Sequence, residues 1–255
     1  MVEYIKKLVL DAGEKTLAGR PGIADSNLRF KNEKDLVSAI DEEVEDFIVG
    51  GIKKRFPKHR ILGEETGFSG GDSEYCWIID PIDGTTSFVH GQPFYSISVA
   101  LQKNSETILG VVYAPRLSDM FCAQKGAGTY LNDKRVTVSQ RSKLVNSVLA
   151  TGFACLRAGK EENNLKYFNE IVPELRGIRR FGSAALDLAF VSCGYLEGFW
   201  ELDLQLYDIA AGILLVTEAG GTVSDFNGLN CFPQQGTVAT NGYTHNELLN
   251  LLKSV

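Results

Sequence analysis

Tyr75-Cys-Trp-Ile-Ile-Asp80-Pro81-Ile82-Asp83-Gly84-Thr85-Thr86-Ser87-Phe88 is the stretch on which the reading of this chain turns. Its first half is almost continuously apolar, which predicts an interior strand buried on both faces. The strand ends in a carboxylate, Pro81 forces a turn, and a second carboxylate follows at Asp83. Gly84 opens backbone angles closed to other residues, and Thr85 and Thr86 bring hydroxyls and amides to the same turn. Asp-Pro and Asp-Gly are also favoured in ordinary turns, so this segment alone does not separate a site from a bend. Gly63-Glu64-Glu65, sixteen residues upstream of Asp80, adds the missing support. It closes the apolar run Arg60-Ile-Leu and delivers acids at a strand's C-terminal end, where open α/β sheets bind ligands.

Outward from this stretch, short apolar runs bounded by turn residues predict strands at 94–102, 107–115 and 120–124, with a turn at Asn132-Asp-Lys-Arg135. Upstream, residues 1–18 place Ile5, Leu8, Val9 and Ala12 on one helical face, and a Gly/Pro/Asp-rich loop follows at 19–27. A second helix starts from a cap at Ser38 and buries Ile40, Val44, Phe47 and Ile48. Its acids crowd the first half and Lys53, Lys54 and Arg55 its end, as the helix dipole favours. Beyond residue 140 strands and helices alternate: strands at 146–153, 198–202 and 221–226, a strand and loop at 177–183, and helices at 164–175, 183–194, 208–221 and 245–255. The expected class is α/β, an α+β lobe over 1–139 and an α/β lobe over 140–255 forming one unit.

The 255 residues are 44% hydrophobic and 23% charged, ordinary for a globular chain. With 26 basic against 32 acidic residues the net charge is −6, which gives no footprint for nucleic acid. No apolar stretch reaches the ~18 residues of a membrane span, and the N-terminus lacks a secretory core. The five cysteines are odd in number and form no CxxC pair, so reduced, mostly buried thiols and a cytoplasmic setting are expected. His59 and His245 read as loop residues and His90 as a packed or surface residue.

Carboxylates two or three residues apart, beside a turn whose amides can hold an anion, suit Mg²⁺ together with a phosphate, because that ion is hard and shares its shell with substrate oxygens. A second cluster runs from Glu201 through Tyr207 and Asp208 to Glu218-Ala-Gly-Gly221. Asp208 opens a helix, where an acid equally serves as an N-cap.

Gly63-Glu-Glu65, Trp77–Phe88 and Tyr207–Gly221 resemble the signatures of the inositol monophosphatase family, a lithium-sensitive phosphatase group. Gly110–Pro115, Lys125–Asn132 and Phe181–Ala189 extend the resemblance over nearly the whole chain. The resemblance implies an αβαβα layered sandwich, a homodimer, and two or three Mg²⁺ ions per site. Glu64, Asp80 and the Ile82 carbonyl would hold the first ion and Asp80, Asp83 and Asp208 the second, with a weaker third leaning on Glu64. Asp41 matches the acid that bonds the loop threonine, here Thr85, which orients the attacking water. Gly84 and Thr85 amides would meet the phosphoryl oxygens; Asp83, Gly182, Ser183, Ala184 and Glu201 would border the alcohol half. Tyr207 stands where tryptophan is usual and Ser87 where asparagine is commoner. The expected substrate is a phosphorylated polyol or sugar, with inositol monophosphate first. Fructose 1,6-bisphosphate, or both together, and adenosine 3′,5′-bisphosphate are the alternatives, with Arg157, Arg179 or Arg180 reading a second phosphate. A non-catalytic interaction protein is a further reading.

Overall fold

Apolar residues spaced three and four apart make Val2–Ala18 (α1) a helix with one buried face, Ile5, Leu8, Val9 and Ala12. The structure, a computed structural model, describes residues 1–19, 28–32 and 35–255. The loop expected at 19–27 lies outside them but for Gly19, and the cap expected from Ser38 rests on a side chain that is not described. A hairpin of Leu28–Asn32 (β1) and Asp35–Ser38 (β2) leads into Ala39–Arg55 (α2). Then follow Arg60–Gly63 (β3), Gly67–Ser69 (β4), Tyr75–Asp83 (β5), Thr85–Val89 (α3), Ser96–Lys103 (β6), Glu106–Ala114 (β7), Asp119–Gln124 (β8), Gly128–Leu131 (β9) and Lys134–Val136 (β10). The remainder comprises Val148–Thr151 (β11), Ala154–Arg157 (α4), Leu165–Ile171 (α5), Gly177–Arg179 (β12), Ala184–Ser192 (α6), Gly198–Glu201 (β13), Leu206–Glu218 (α7), Thr222–Ser224 (β14), Thr237–Thr240 (β15) and His245–Lys253 (α8).

Among the described residues, β3 to β10 form an eight-stranded sheet in the order β10-β9-β8-β7-β6-β5-β3-β4. Only β3 and β5 run parallel in it. A second sheet has the order β12-β11-β13-β15-β14, parallel around β11 and antiparallel around β15.

Strand alternation assigns each face its partner. On one face of the large sheet Trp77, Ile79, Val99 and Val111 pack on α1 and α2. On the other, Ile78, Ala100, Val112 and Phe121 meet Leu186, Leu188, Ile209 and Leu215 of α6 and α7, and these helices also cover Ala150, Phe199 and Ala239 of the second sheet. The far face of that sheet sets Leu149, Trp200 and Val238 against Ile171 of α5 and Leu248 and Leu252 of α8. The result is five layers, αβαβα. Each fully buried aliphatic side chain stabilises it by roughly 1.5–3 kcal/mol.

Several expectations need adjustment. In α2 the inward face is Asp41, Val44, Glu45, Ile48, Val49 and Ile52, while Ile40 and Phe47 are only half buried. The apolar pattern did not reveal that two acids share that face. The turn at 132–135 is shorter than expected: Asn132 and Asp133 make it with positive φ, and Lys134 already begins β10. His245 is not in a loop; it is the first residue of α8, buried between Ser224 Oγ and Thr240 Oγ1, each 3.0 Å from a ring nitrogen. His59 accepts the Trp77 indole N–H at 3.0 Å and stacks on Phe56 and Tyr75. His90 is exposed at the end of α3. All five cysteines are free thiols. No described helix is long and apolar enough to cross a membrane.

Candidate active site

The parallel pairing of β3 with β5 sets Gly63 opposite Ile79. The next residue of each strand is therefore an acid, and Glu64 and Asp80 emerge side by side. Asp83 joins them through a bulge. Between Asp80 and Asp83 the strand spans one residue more than its partner stretch, Ser98 to Ser96 on β6. Residues three apart on a regular strand point to opposite faces; the extra residue turns both carboxylates to the side of α6 and α7. Asp80 Oδ1 also accepts the Ile82 amide at 3.0 Å, which shapes the turn.

Gly84 continues the turn at φ 94°, and a Cβ there would lie 3.1 Å from the carbonyl oxygens of Gly182 and Phe94. Only glycine fits both the angle and the space. Thr85 then opens α3. Its hydroxyl lies 3.2 Å from the Ile82 carbonyl and 3.4 Å from Asp41 Oδ1, so the link to Asp41 is present but long. Asp208 comes from the third position of α7, where its Oδ2 accepts the Gln205 amide at 2.5 Å. It is thus not the N-cap, which is Gln205, but the third helical residue of a capping box, and it is also a member of the cluster.

Asp80, Asp83 and Asp208 offer carboxylate oxygens all within 4.8 Å of one another. They share a 70 Å³ cavity with Glu64, Ile82, Gly84, Thr85, Thr86, Arg157 and Gly182. Burial, then the charges of Glu64, Asp83 and Asp208, push Asp80 well above the usual carboxylate range. Burial followed by Asp83 does the same to Asp208. Asp83 rises to about 6 through burial, although Ser183 Oγ and the Ala185 amide each donate to its Oδ2 at 2.6 Å. Several buried acids aimed at one space repel one another unless they take up protons or a cation. The donors are all oxygen, the set a hard divalent ion prefers.

The expected border of the alcohol half assembles next to this space. Gly182 has φ 94°, Ser183 caps α6 by accepting the Leu186 amide at 3.2 Å, and Ala184 follows. Glu201 ends β13, accepts the Ala154 amide at 3.0 Å, and is raised to about 7 by burial. A Cβ on Gly152 would stand 2.2 Å from both Glu201 oxygens, so that glycine makes the room. Of the arginines considered for a second phosphate, Arg157 lines the main cavity and Arg180 the one adjoining it. Arg179 instead turns back on the Ile178 carbonyl at 2.9 Å. Tyr207 lines a neighbouring cavity with Glu64 and Asp208, and Ser87 Oγ donates to the Phe181 carbonyl at 3.1 Å.

Thr86, the second threonine of the turn, belongs to the cavity lining. One feature was not read from the sequence. Asp187 is a buried acid behind Glu201 with one oxygen lacking a partner. Its signal was a lone charge in the otherwise apolar run Ala184–Ser192.

A family model described as the inositol monophosphatase family matches residues 2–255. A Mesorhizobium japonicum protein named inositol-1-monophosphatase is 40% identical over 100% of this chain and 96% of its own length. A Pseudomonas aeruginosa protein named Nus factor SuhB is 42% identical over 93% and 90%. A solved inositol monophosphatase from Anabaena (Nostoc) superposes with a TM-score of 0.90 at 35% identity, covering 100% of this chain and 95% of the other. The order of the layers, the converging acids and these likenesses agree: the chain belongs to the inositol monophosphatase family, phosphatases that hydrolyse phosphate monoesters.

Proposed function

We propose that this chain is a magnesium-dependent phosphomonoesterase that releases phosphate from myo-inositol monophosphate by direct, in-line attack of water. The observation that carries the reading is the approach of Asp80, Asp83 and Asp208 within 4.8 Å beside the Gly84–Thr85 turn. Glu64, Asp80 and the Ile82 carbonyl would hold one Mg²⁺ and Asp80, Asp83 and Asp208 another, and a weaker third would lean on Glu64. When bound, such ions lower the pKa of water and steady the leaving oxygen.

The remaining roles fall to the protein. Thr85, whose hydroxyl is too weak an acid to be a base, orients the water, and Asp41 holds that hydroxyl in place. The Gly84 and Thr85 amides take charge from the phosphoryl oxygens. Glu201 receives a polyol hydroxyl, and Gly182, Ser183 and Ala184 border the ring. The five free thiols support a reducing cytoplasmic setting. A homodimer of two-lobed units follows from the family resemblance and is read by light scattering.

The test is phosphate release from inositol 1-phosphate, fructose 1,6-bisphosphate and adenosine 3′,5′-bisphosphate with Mg²⁺ and with EDTA. Magnesium-dependent release fastest from inositol 1-phosphate is expected; no release from any would refute the enzyme. Arg157 and Arg180 favour a second reading in which a bisphosphate is also accepted. A bisphosphate preference that survives replacing them by alanine would rule out these arginines as the readers of the second phosphate. The Nus factor name of one relative favours an added binding role, tested by comparing lysate pulldowns of the wild type and Asp83→Asn.

A further inference from the structure

Asp41 and Glu45 lie four residues apart on α2, so both point from the same face of the helix. Both are buried, at 1% and 0% exposure. Asp41 reaches the Thr85 turn. Glu45 reaches the other arm of the site, the turn Glu64-Glu65-Thr66 between β3 and β4. Its Oε2 accepts the Glu65 amide at 3.0 Å and its Oε1 the Thr66 amide at 2.8 Å. The Glu64 amide donates to the Ile79 carbonyl at 3.1 Å. Three consecutive amides of the turn are thereby fixed by one strand carbonyl and one carboxylate. The sequence is shaped around this contact: a Cβ on Gly63 would lie 2.2 Å from Glu45 Oε1 and 2.8 Å from Oε2.

The geometry points to Glu45 as a positioning residue that sets the direction of Glu64 toward Asp80 and so tunes the cation affinity of the site. Read from the sequence, Glu45 was one of several acids placed to suit the dipole of α2. Its burial and paired bonds to backbone amides argue for a more specific part. Groups that orient a metal ligand without touching the metal alter affinity or activity by about 10–100-fold when replaced. The inference rests on the reading that these acids hold a divalent cation.

The experiment is calorimetric titration of Mn²⁺ into the metal-free, substrate-free protein, with melting in EDTA recorded alongside. Glu45→Gln keeps the shape but turns an amide NH₂ toward one of the two backbone N–H donors. It should weaken Mn²⁺ binding about 10-fold. Excess Mg²⁺ should restore most of kcat, whereas Glu64→Gln should not recover. Asp46→Asn removes the same charge from the exposed side of α2 and should leave affinity unchanged. Gly63→Ala presses on the Glu45 carboxylate from β3 with every acid retained, and should reproduce the loss. It is the deciding variant where Glu45→Gln fails to fold. A Glu45→Gln protein that melts lower in EDTA yet binds Mn²⁺ within twofold of wild type would overturn the inference, leaving Glu45 a scaffold residue. No Mn²⁺ binding by the wild type would instead sink the metal reading itself.

Discussion

Removing the cation should make the folded protein less stable as pH rises, opposite to the usual behaviour of ion-paired acids. Asp83 goes from the ordinary 3.8 to about 6. Glu201 goes from 4.5 to about 7. Asp80 and Asp208 move in the same direction, all of them first through burial. A folded state with raised carboxylate pKa values binds protons more tightly than the unfolded chain. Its stability is therefore complete below about pH 4 and is lost as pH climbs through 6 to 7. The rise at Asp83 alone corresponds to about 3 kcal/mol. Since the acids share one pocket, that cost is taken once rather than for each residue. In a chain of this size it lowers Tm by about 6–12 °C. His59 and His245, whose pKa values burial lowers, pull the other way over the same range. The diagnostic quantity is therefore the difference between Tm in saturating Mg²⁺ and Tm in EDTA, followed by circular dichroism from pH 5 to 8. The histidines cancel in that difference. It should widen with pH and widen less in Asp83→Asn. A difference that is constant or shrinks across the range would refute the reasoning.

Asp208→Asn should keep the α7 cap in part and the fold in full, yet lower kcat by more than ~100-fold, since loss of a group that only supports a metal ligand already costs up to about that much; circular dichroism and phosphate release at saturating substrate check both halves. Glu201→Gln should raise KM for inositol 1-phosphate roughly 10- to 100-fold, the worth of one charged hydrogen bond, with kcat little changed. Gly152→Ala should mimic it and cost about 1–3 kcal/mol of stability, because the new Cβ meets the Glu201 oxygens at 2.2 Å. Combining it with Glu201→Ala should return most of that stability, as measured by urea melts in a double-mutant cycle.

The elements that build the site were legible where their information is local. The apolar run of β5, the acids ending β3 and β5, and the glycine-stopped helix α7 are each written in fewer than about 20 consecutive residues. The bulge that turns Asp80 and Asp83 to one side was not, because it is defined against β6 and not by β5 itself. β15 went unread for a related reason: Thr237–Thr240 is only four residues long and takes its identity from pairing with β13 and β14. The inward turn of Glu45 was hidden because an acid early in a helix already has an explanation in the dipole. The burial of His245 was not legible because Ser224 and Thr240, which hold its ring, are brought to it only by the fold.

If the acids from β3, β5 and α7 converge to hold divalent cations, ions will be found among them in the crystal. Anomalous diffraction from crystals soaked in Mn²⁺ tests it most directly. The prediction is strong peaks among Glu64, Asp80, Asp83 and Asp208, absent after EDTA and weakened in Asp208→Asn. Anomalous density confined to surface carboxylates, with none among these four, would contradict it.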